Sequence, residues 1–315
     1  MRPFPWPGWI LGVSAPAFVI TWLMAPHTSG SGLTADPGSA LPVRRAPPPR
    51  NALLELTESA APPIAPAPPF FVLGHPFKVA LTFDDGPHPR YTARLLDVLQ
   101  RHAVSATFFV NGRYLVDGDP NAAANREVLR RAQREGHLIG NHTFNHVNLA
   151  ALSREDQTRE IVANEELLTA LLGERPRVFR PPYALLSRHS LALLRQRGYV
   201  VARWNAAVPD EETRSPEEIA RDLLLWLRHH EGGISMLHDR HWTAVEATER
   251  VLTALERENC DRAATAAPTI QVVALDAFFP RPAQSLASVD SDERERASHL
   301  TRLRQRCRTA STAAR

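Results

Sequence analysis

The stretch "KVALTFDDGPHP", residues 78–89, decides how this chain is read. An apolar run with strand character ends on two adjacent carboxylates, Asp84 and Asp85, and then on Gly86 and Pro87, which stop a strand. Two carboxylates side by side repel each other unless a cation or a shared proton compensates them. The pair therefore calls for a partner. An Asp-Gly turn leading into a helix at Pro89-Arg90 accounts for one acid and leaves the second unexplained.

Outward from this stretch, the chain has 315 residues, 43% of them hydrophobic, enough for one sizeable core and some appendages. A formal charge of +3, with no Lys/Arg stripe interleaved with aromatics, argues against nucleic acid as a partner. Cys260 and Cys307 lie far apart and outside any CxxC pattern, so they suggest neither a zinc knuckle nor a disulfide framework. Arg2 precedes an uncharged apolar run at 9–25, slightly long for a signal peptide and short for a membrane span. Residues 1–25 are accordingly expected to be a signal peptide or a membrane anchor, and the chain to be exported to the periplasm or cell envelope, either secreted or tethered. Residues 26–70, with "RRAPPPRN" and "APPIAPAPP", read as a Pro/Ala-rich linker. Such a spacer extends by ~3.1 Å per residue where the polyproline geometry holds, a reach on the order of 100 Å. Residues 281–315 read as a charged tail, its segment 302–308 solvated.

Between 71 and 280 the texture changes. Strand-like stretches at 78–83, 106–110, 137–141, 177–180, 199–204, 234–237 and 270–275 alternate with helix-period stretches such as 91–103, 126–136, 154–173 and 215–230. Alternation of this kind implies a parallel sheet. Its unit count fits an α/β fold closed as a (β/α)7 barrel, TIM-like but one unit short, or an open doubly wound sheet; the barrel is the expectation.

That order places the polar residues. Asp84 and Asp85 follow the first strand, His142 and His146 the third, Arg180 ends the fourth, Asn205 and Asp210 follow the fifth, and His238 ends the sixth. In a parallel barrel those strand ends share the face on which active sites are built. In "GNHTFNH", residues 140–146, the histidines are four apart, a spacing that suits a transition metal. With 13 His in the chain, chance alone supplies about half such a pair, so the spacing is weak by itself. An aspartate from a neighbouring strand end completes a three-ligand facial set with positions open for water and substrate. One aspartate then binds the metal while its neighbour acts as a general base on activated water.

"TFDDGPHP" (82–89), "HTFNH" (142–146), "FRPPY" (179–183) and "ISMLHD" (234–239), in this order, resemble the polysaccharide deacetylases of carbohydrate esterase family four, the NodB-homology domain. The resemblance implies a distorted (β/α) barrel and a metal-dependent hydrolase acting on acetylated polysaccharide. It implies that Asp84 is the catalytic base and that Asp85, His142 and His146 hold one divalent ion, usually zinc, with cobalt, nickel or manganese also compatible. It further implies that Arg180 orients the base, that His238 is the catalytic acid, and that Pro182 and Tyr183 line the acyl pocket, with the Tyr183 N–H in the oxyanion hole. Two departures stand out. Met236 occupies a position that is usually Leu, which leaves an apolar acetyl pocket intact. The fourth motif usually reads Asp-Trp, whereas here Asp210 is followed by Glu211, so the groove tryptophan is missing. Asp210 is nonetheless expected beside His238, raising its pKa.

The leading functional expectation is removal of N-acetyl groups from an amino-sugar polymer such as peptidoglycan or a related β-linked glycan. The alternatives are an O-acetyl esterase or non-sugar amide hydrolase on the same fold, made plausible by the missing tryptophan, and a non-catalytic glycan-binding module. The last would usually have lost a base, acid or ligand, and all are present.

Overall fold

The computed structural model describes residues 77–210 and 213–279, together with Leu303, Gln305 and Cys307. The apolar segment 1–25, the linker 26–70 and most of the tail lie outside the described residues.

The opening stretch forms two short strands, β1 (Lys78–Ala80) and β2 (Thr82–Gly86). Helix α1 (Tyr91–His102) follows, burying Leu95, Leu96 and Leu99, and stops at Ala103 in a left-handed conformation. Then come β3 (Thr107–Val110), α2 (Ala122–Arg134), β4 (Leu138–Asn141) and α3 (Arg154–Leu172), the last capped by the Ser153 side chain. After β5 (Val178–Phe179), α4 (Arg188–Gln196), β6 (Val200–Val201) and β7 (Ala206–Ala207), helix α5 (Pro216–His229) opens with a Ser215–Glu218 capping box and a proline in its first turn. Strand β8 (Gly233–His238), helix α6 (Trp242–Ala264) and β9 (Gln271–Val273) complete the domain.

Every described strand pair is parallel, in the order β6-β5-β4-β3-β2-β8-β1-β9, with β7 alongside β8. Residues alternate across the strands as the pleat requires. Val79, Leu81, Phe83 and Phe108 pack outward against Leu95 and Leu99 of α1, Leu223 of α5 and Leu255 of α6. Ala80, Phe109, Val178 and Ile234 form a separate inner cluster with Leu275 and Phe278, and Val200 of β6 and Val273 of β9 both pack against it. Among the described residues no ladder joins β6 to β9. The end strands instead pack against one shared inner cluster, in keeping with the distorted (β/α)7 barrel that the family resemblance implies.

The structure corrects the reading of the cysteines and of the tail. Cys260 on α6 is bonded to Cys307 across a separation of 47 residues. Leu303 is buried, sharing a cavity of about 120 Å³ with Leu252, Leu255 and Ile270. The segment 302–308 is therefore clamped to α6 at these positions rather than a wholly solvated end. Distance along the chain conceals such a pairing, because it forms only once α6 and the returning tail are side by side.

Candidate active site

Strand pleating aims Thr82 and Asp84 to the same side of β2, into the barrel. Arg180 meets them there: its Nη1 donates to Asp84 Oδ1 and to Thr82 Oγ1, each at 2.7 Å. The guanidinium is fully buried, lies 4.1 Å over the Phe109 ring and 5.4 Å from that of Trp204, and donates through Nη2 to the Arg203 carbonyl. Burial pulls the Arg180 pKa down, and the Asp84 carboxylate opposes that pull. A buried cation of this kind fixes one oxygen of Asp84 and leaves the other, Oδ2, 3.9 Å from His142 Nε2.

One residue on, the backbone turns sharply. Asp85 has φ 70°, and in the histidine loop Thr143 has φ 67° and His146 φ 56°. Left-handed backbone at residues other than glycine costs about 1–3 kcal/mol each and persists only where surroundings impose it. Here they do. Asn111 donates to the carbonyls of His142 and Thr143, Asn141 Oδ1 accepts from the Thr143 N–H, and the Phe144 N–H donates to the Glu160 carbonyl. The result places the donor atoms of Asp85, His142 and His146 within 4.8 Å of one another. Asp85 Oδ1 lies 3.4 Å from His142 Nε2 and 3.2 Å from His146 Nε2.

These residues fit a divalent cation. The Arg180 carbonyl can only accept, so His142 Nδ1, 2.7 Å away, donates to it, and Nε2 is the ring nitrogen that faces Asp85. Asp85 Oδ1 is buried and makes no hydrogen bond. Burial raises the Asp85 carboxyl, but the His142 side chain and the neighbouring imidazoles of His142, His146 and His238 outweigh it and hold the pKa at about 2. Burial lowers the His146 pKa, against Asp85, and keeps that ring neutral. One carboxylate and two imidazoles are the donor set that transition metals take.

Across the barrel mouth, His238 stands in register with Asp84 on the neighbouring strand β8. Its ring Nδ1 is 2.8 Å from Asp210 Oδ1, and its backbone N–H donates to Asp210 Oδ2 at 2.5 Å. Burial would lower the His238 pKa, but the hydrogen bond and charge of Asp210, with the charges of Asp84 and Asp85, push it up to about 9. Asn205 is not involved: its Oδ1 accepts from the Ile234 N–H at 2.7 Å. A cavity of about 510 Å³ opens between these groups, lined by Asp85, Asp210, Met236 and His238 together with Arg240 and His241.

The remaining expected residues take rim positions. Pro182 is buried at the start of a one-turn 3₁₀ helix, two residues after Arg180, and Tyr183 (φ 58°) projects to 63% exposure with its ring edge-on to His146, 5.0 Å between centroids. Met236 lines the cavity beside His238. Sequence reasoning missed Asp239. Its carboxylate is buried, donates nothing and accepts from Thr92 Oγ1 at 2.5 Å, and burial chiefly raises its pKa to about 7. A Cβ on Gly86 would come within 2.3 Å of both its oxygens, which explains the glycine after the acid pair. Adjacency to His238 was the only signal.

The profile of the polysaccharide deacetylase family matches residues 74–202. The chain is 35% identical over 162 residues to a chitooligosaccharide deacetylase of Sinorhizobium fredii, covering 51% of this chain and 71% of that one. It is 35% identical over 147 residues to a peptidoglycan-N-acetylglucosamine deacetylase of Bacillus cereus, covering 47% of this chain and 51% of the other. This chain therefore spans about half the length of that relative. Its fold is similar to the solved chitin deacetylase of Colletotrichum lindemuthianum, with a TM-score of 0.58 at 27% identity, over 70% of this chain and 95% of that one. The chain belongs to the polysaccharide deacetylase family. The matched profile ends before Asp210 and His238, so their place in the site rests on the geometry above.

Proposed function

We propose that this protein is a metal-dependent hydrolase that removes N-acetyl groups from an amino-sugar polymer, peptidoglycan or a related β-linked glycan. One observation carries the reading: Asp84, held by a buried arginine, lies between a three-donor cluster and a histidine whose pKa is raised to about 9. The relatives named above, deacetylases of peptidoglycan and chitooligosaccharide, support the substrate class.

Asp85, His142 and His146 would hold the ion, and two imidazoles with one carboxylate favour zinc while leaving cobalt, nickel and manganese open. A bound divalent ion polarises the acetyl carbonyl and lowers the pKa of water. Asp84 takes a proton from the attacking water, its free oxygen being the one that Arg180 does not occupy. His238, charged at neutral pH, gives its proton to the departing amine nitrogen as the carbon–nitrogen bond breaks, so that acetate and a free amine result. Met236 offers the acetyl methyl group an apolar wall, and Pro182 and Tyr183 bound the acyl side of the cleft. The Cys260–Cys307 bond supports an exported location, because such bonds persist in oxidising compartments.

The test is acetate release from chitooligosaccharide, peptidoglycan and acetylated xylan, with and without chelator. The reading expects chelator-sensitive release from the two amide-bearing glycans above that from xylan. Release from xylan alone favours the esterase alternative, and release insensitive to chelator removes the metal.

A further inference from the structure

Among the described residues, two guanidinium groups near the cleft have no ion partner. Arg113 lies 4.6 Å and Arg240 4.0 Å from the centroid of one ring, Tyr114. Among the described residues neither forms a salt bridge, although most arginines around them on α1 and α2 do. Both belong to the site by position. Arg240 lines the cavity with Asp85, Met236 and His238. Arg113 is tied to the histidine loop, its backbone N–H donating to the Phe144 carbonyl at 2.9 Å and its Nη1 reaching the Asn145 carbonyl at 3.4 Å. Arg240 spends one long bond, 3.5 Å, on the Pro87 carbonyl, and its charge reaches the buried Asp239 without pairing to it.

A guanidinium carries five N–H donors in a planar fork matched to a carboxylate. Arg113 Nη2 also donates to the Tyr114 hydroxyl, so one tyrosine holds both guanidinium groups in place before any ligand arrives, which reduces the ordering cost of binding. A half-buried pair of unneutralised cations is costly to keep beside an active site unless an anion is bound there. The neutral acetyl group being hydrolysed has no use for them.

We propose that Arg113, Tyr114 and Arg240 form a subsite for a carboxylate on the glycan, so that the enzyme selects polymers bearing an acidic group near the acetylated sugar over neutral ones. This rests on the glycan deacetylase reading and adds the charge of the substrate. The carboxylate has two sources: an acid ether-linked to the sugar ring, or the carboxylates of a peptide attached through that acid.

Binding to the intact chain is measured by titration calorimetry for a disaccharide carrying the free ether-linked acid, for its methyl ester, and for its peptide-bearing amide. Acetate release is followed in parallel. Wild type binds one of the carboxylate forms about 10-fold tighter than the ester, and the arm that gains identifies the source. In the Arg113→Gln/Arg240→Gln double variant the preference falls to about one. Arg240→Lys, which keeps charge but not the fork, retains part of it. Equal binding of acid, amide and ester by wild type overturns the proposal, as does a preference that survives in the double variant. A charge preference without acetate release from any arm sinks the hydrolase reading and leaves the subsite standing.

Discussion

Asp210 grips His238 at two points, the ring Nδ1 at 2.8 Å and the backbone N–H at 2.5 Å. The first bond carries charge to the imidazole and the second fixes where the ring starts, so one carboxylate sets both the pKa and the aim of the proposed acid. Replacing Asp210 by Asn keeps an acceptor for the backbone N–H and removes the charge. The alkaline limb of the pH profile for kcat/KM, which reports loss of the His238 proton, then moves to lower pH by ~1 or more, while the acidic limb stays. If the alkaline limb holds its position, Asp210 does not tune the acid. The same pair has a stability signature: with the folded pKa at about 9 against 6.5 unfolded, its contribution is complete below pH 6.5 and fades as the pH rises towards 9.

Arg180 and Asp84 form a pair that is buried on both sides, 2.7 Å apart. Removing the guanidinium, as in Arg180→Met, leaves a buried carboxylate without its cation and destabilises the fold by about 3–5 kcal/mol. Urea unfolding measures this. A loss under about 1 kcal/mol would mean that water or another group neutralises Asp84, and that Arg180 does not hold the base.

His137 is buried against Phe108, accepts from the Ala106 N–H at 3.1 Å, and has a pKa lowered by burial to about 4. The unfolded chain takes up a proton near pH 6.5 that the folded chain refuses. Stability is therefore complete above pH 6.5 and falls by ~3 kcal/mol as the pH drops towards 4. His137→Asn, whose amide oxygen can accept the same N–H, flattens this dependence in a series of Tm values against pH. An unchanged slope would place the acid sensitivity elsewhere.

The Cys260–Cys307 bond closes a span of 47 residues. Reducing it, or substituting Cys307→Ser, lowers stability by about 2–4 kcal/mol. Thermal melts with and without reductant check the value, and coincident melts would show that the tail contributes nothing through its bond.

The site was legible in the sequence to the extent that its chemistry is local. Asp84 and Asp85 are adjacent, His142 and His146 are one turn apart, and alternation of strand and helix patterns predicts that their strand ends share a face. Relationships made only by folding were not legible. The donor atoms converge because Asp85 and His146 take left-handed backbone, the histidine loop being held in that shape by Asn111, Asn141 and Glu160. The stretch 78–83 reads as one strand, yet Leu81 separates β1 and β2, which share β8 as a neighbour but pair on their other sides with β9 and β3. The short strand β7 has β8 as its one ladder partner among the described residues, and α6 has buried residues spread along much of its length, so it lacks the contrast that marks α1 or α5. Asp239 and the arginines on Tyr114 acquire meaning from their surroundings alone.

The central claim assigns different work to neighbouring aspartates, and metal content measured beside acetate release separates them. The account predicts stoichiometric divalent metal in the wild type and in Asp84→Asn, with turnover in Asp84→Asn reduced by ~10²-fold or more, and loss of both metal and activity in His142→Ala. Stoichiometric metal in His142→Ala, or equal metal loss in the two variants, would contradict it.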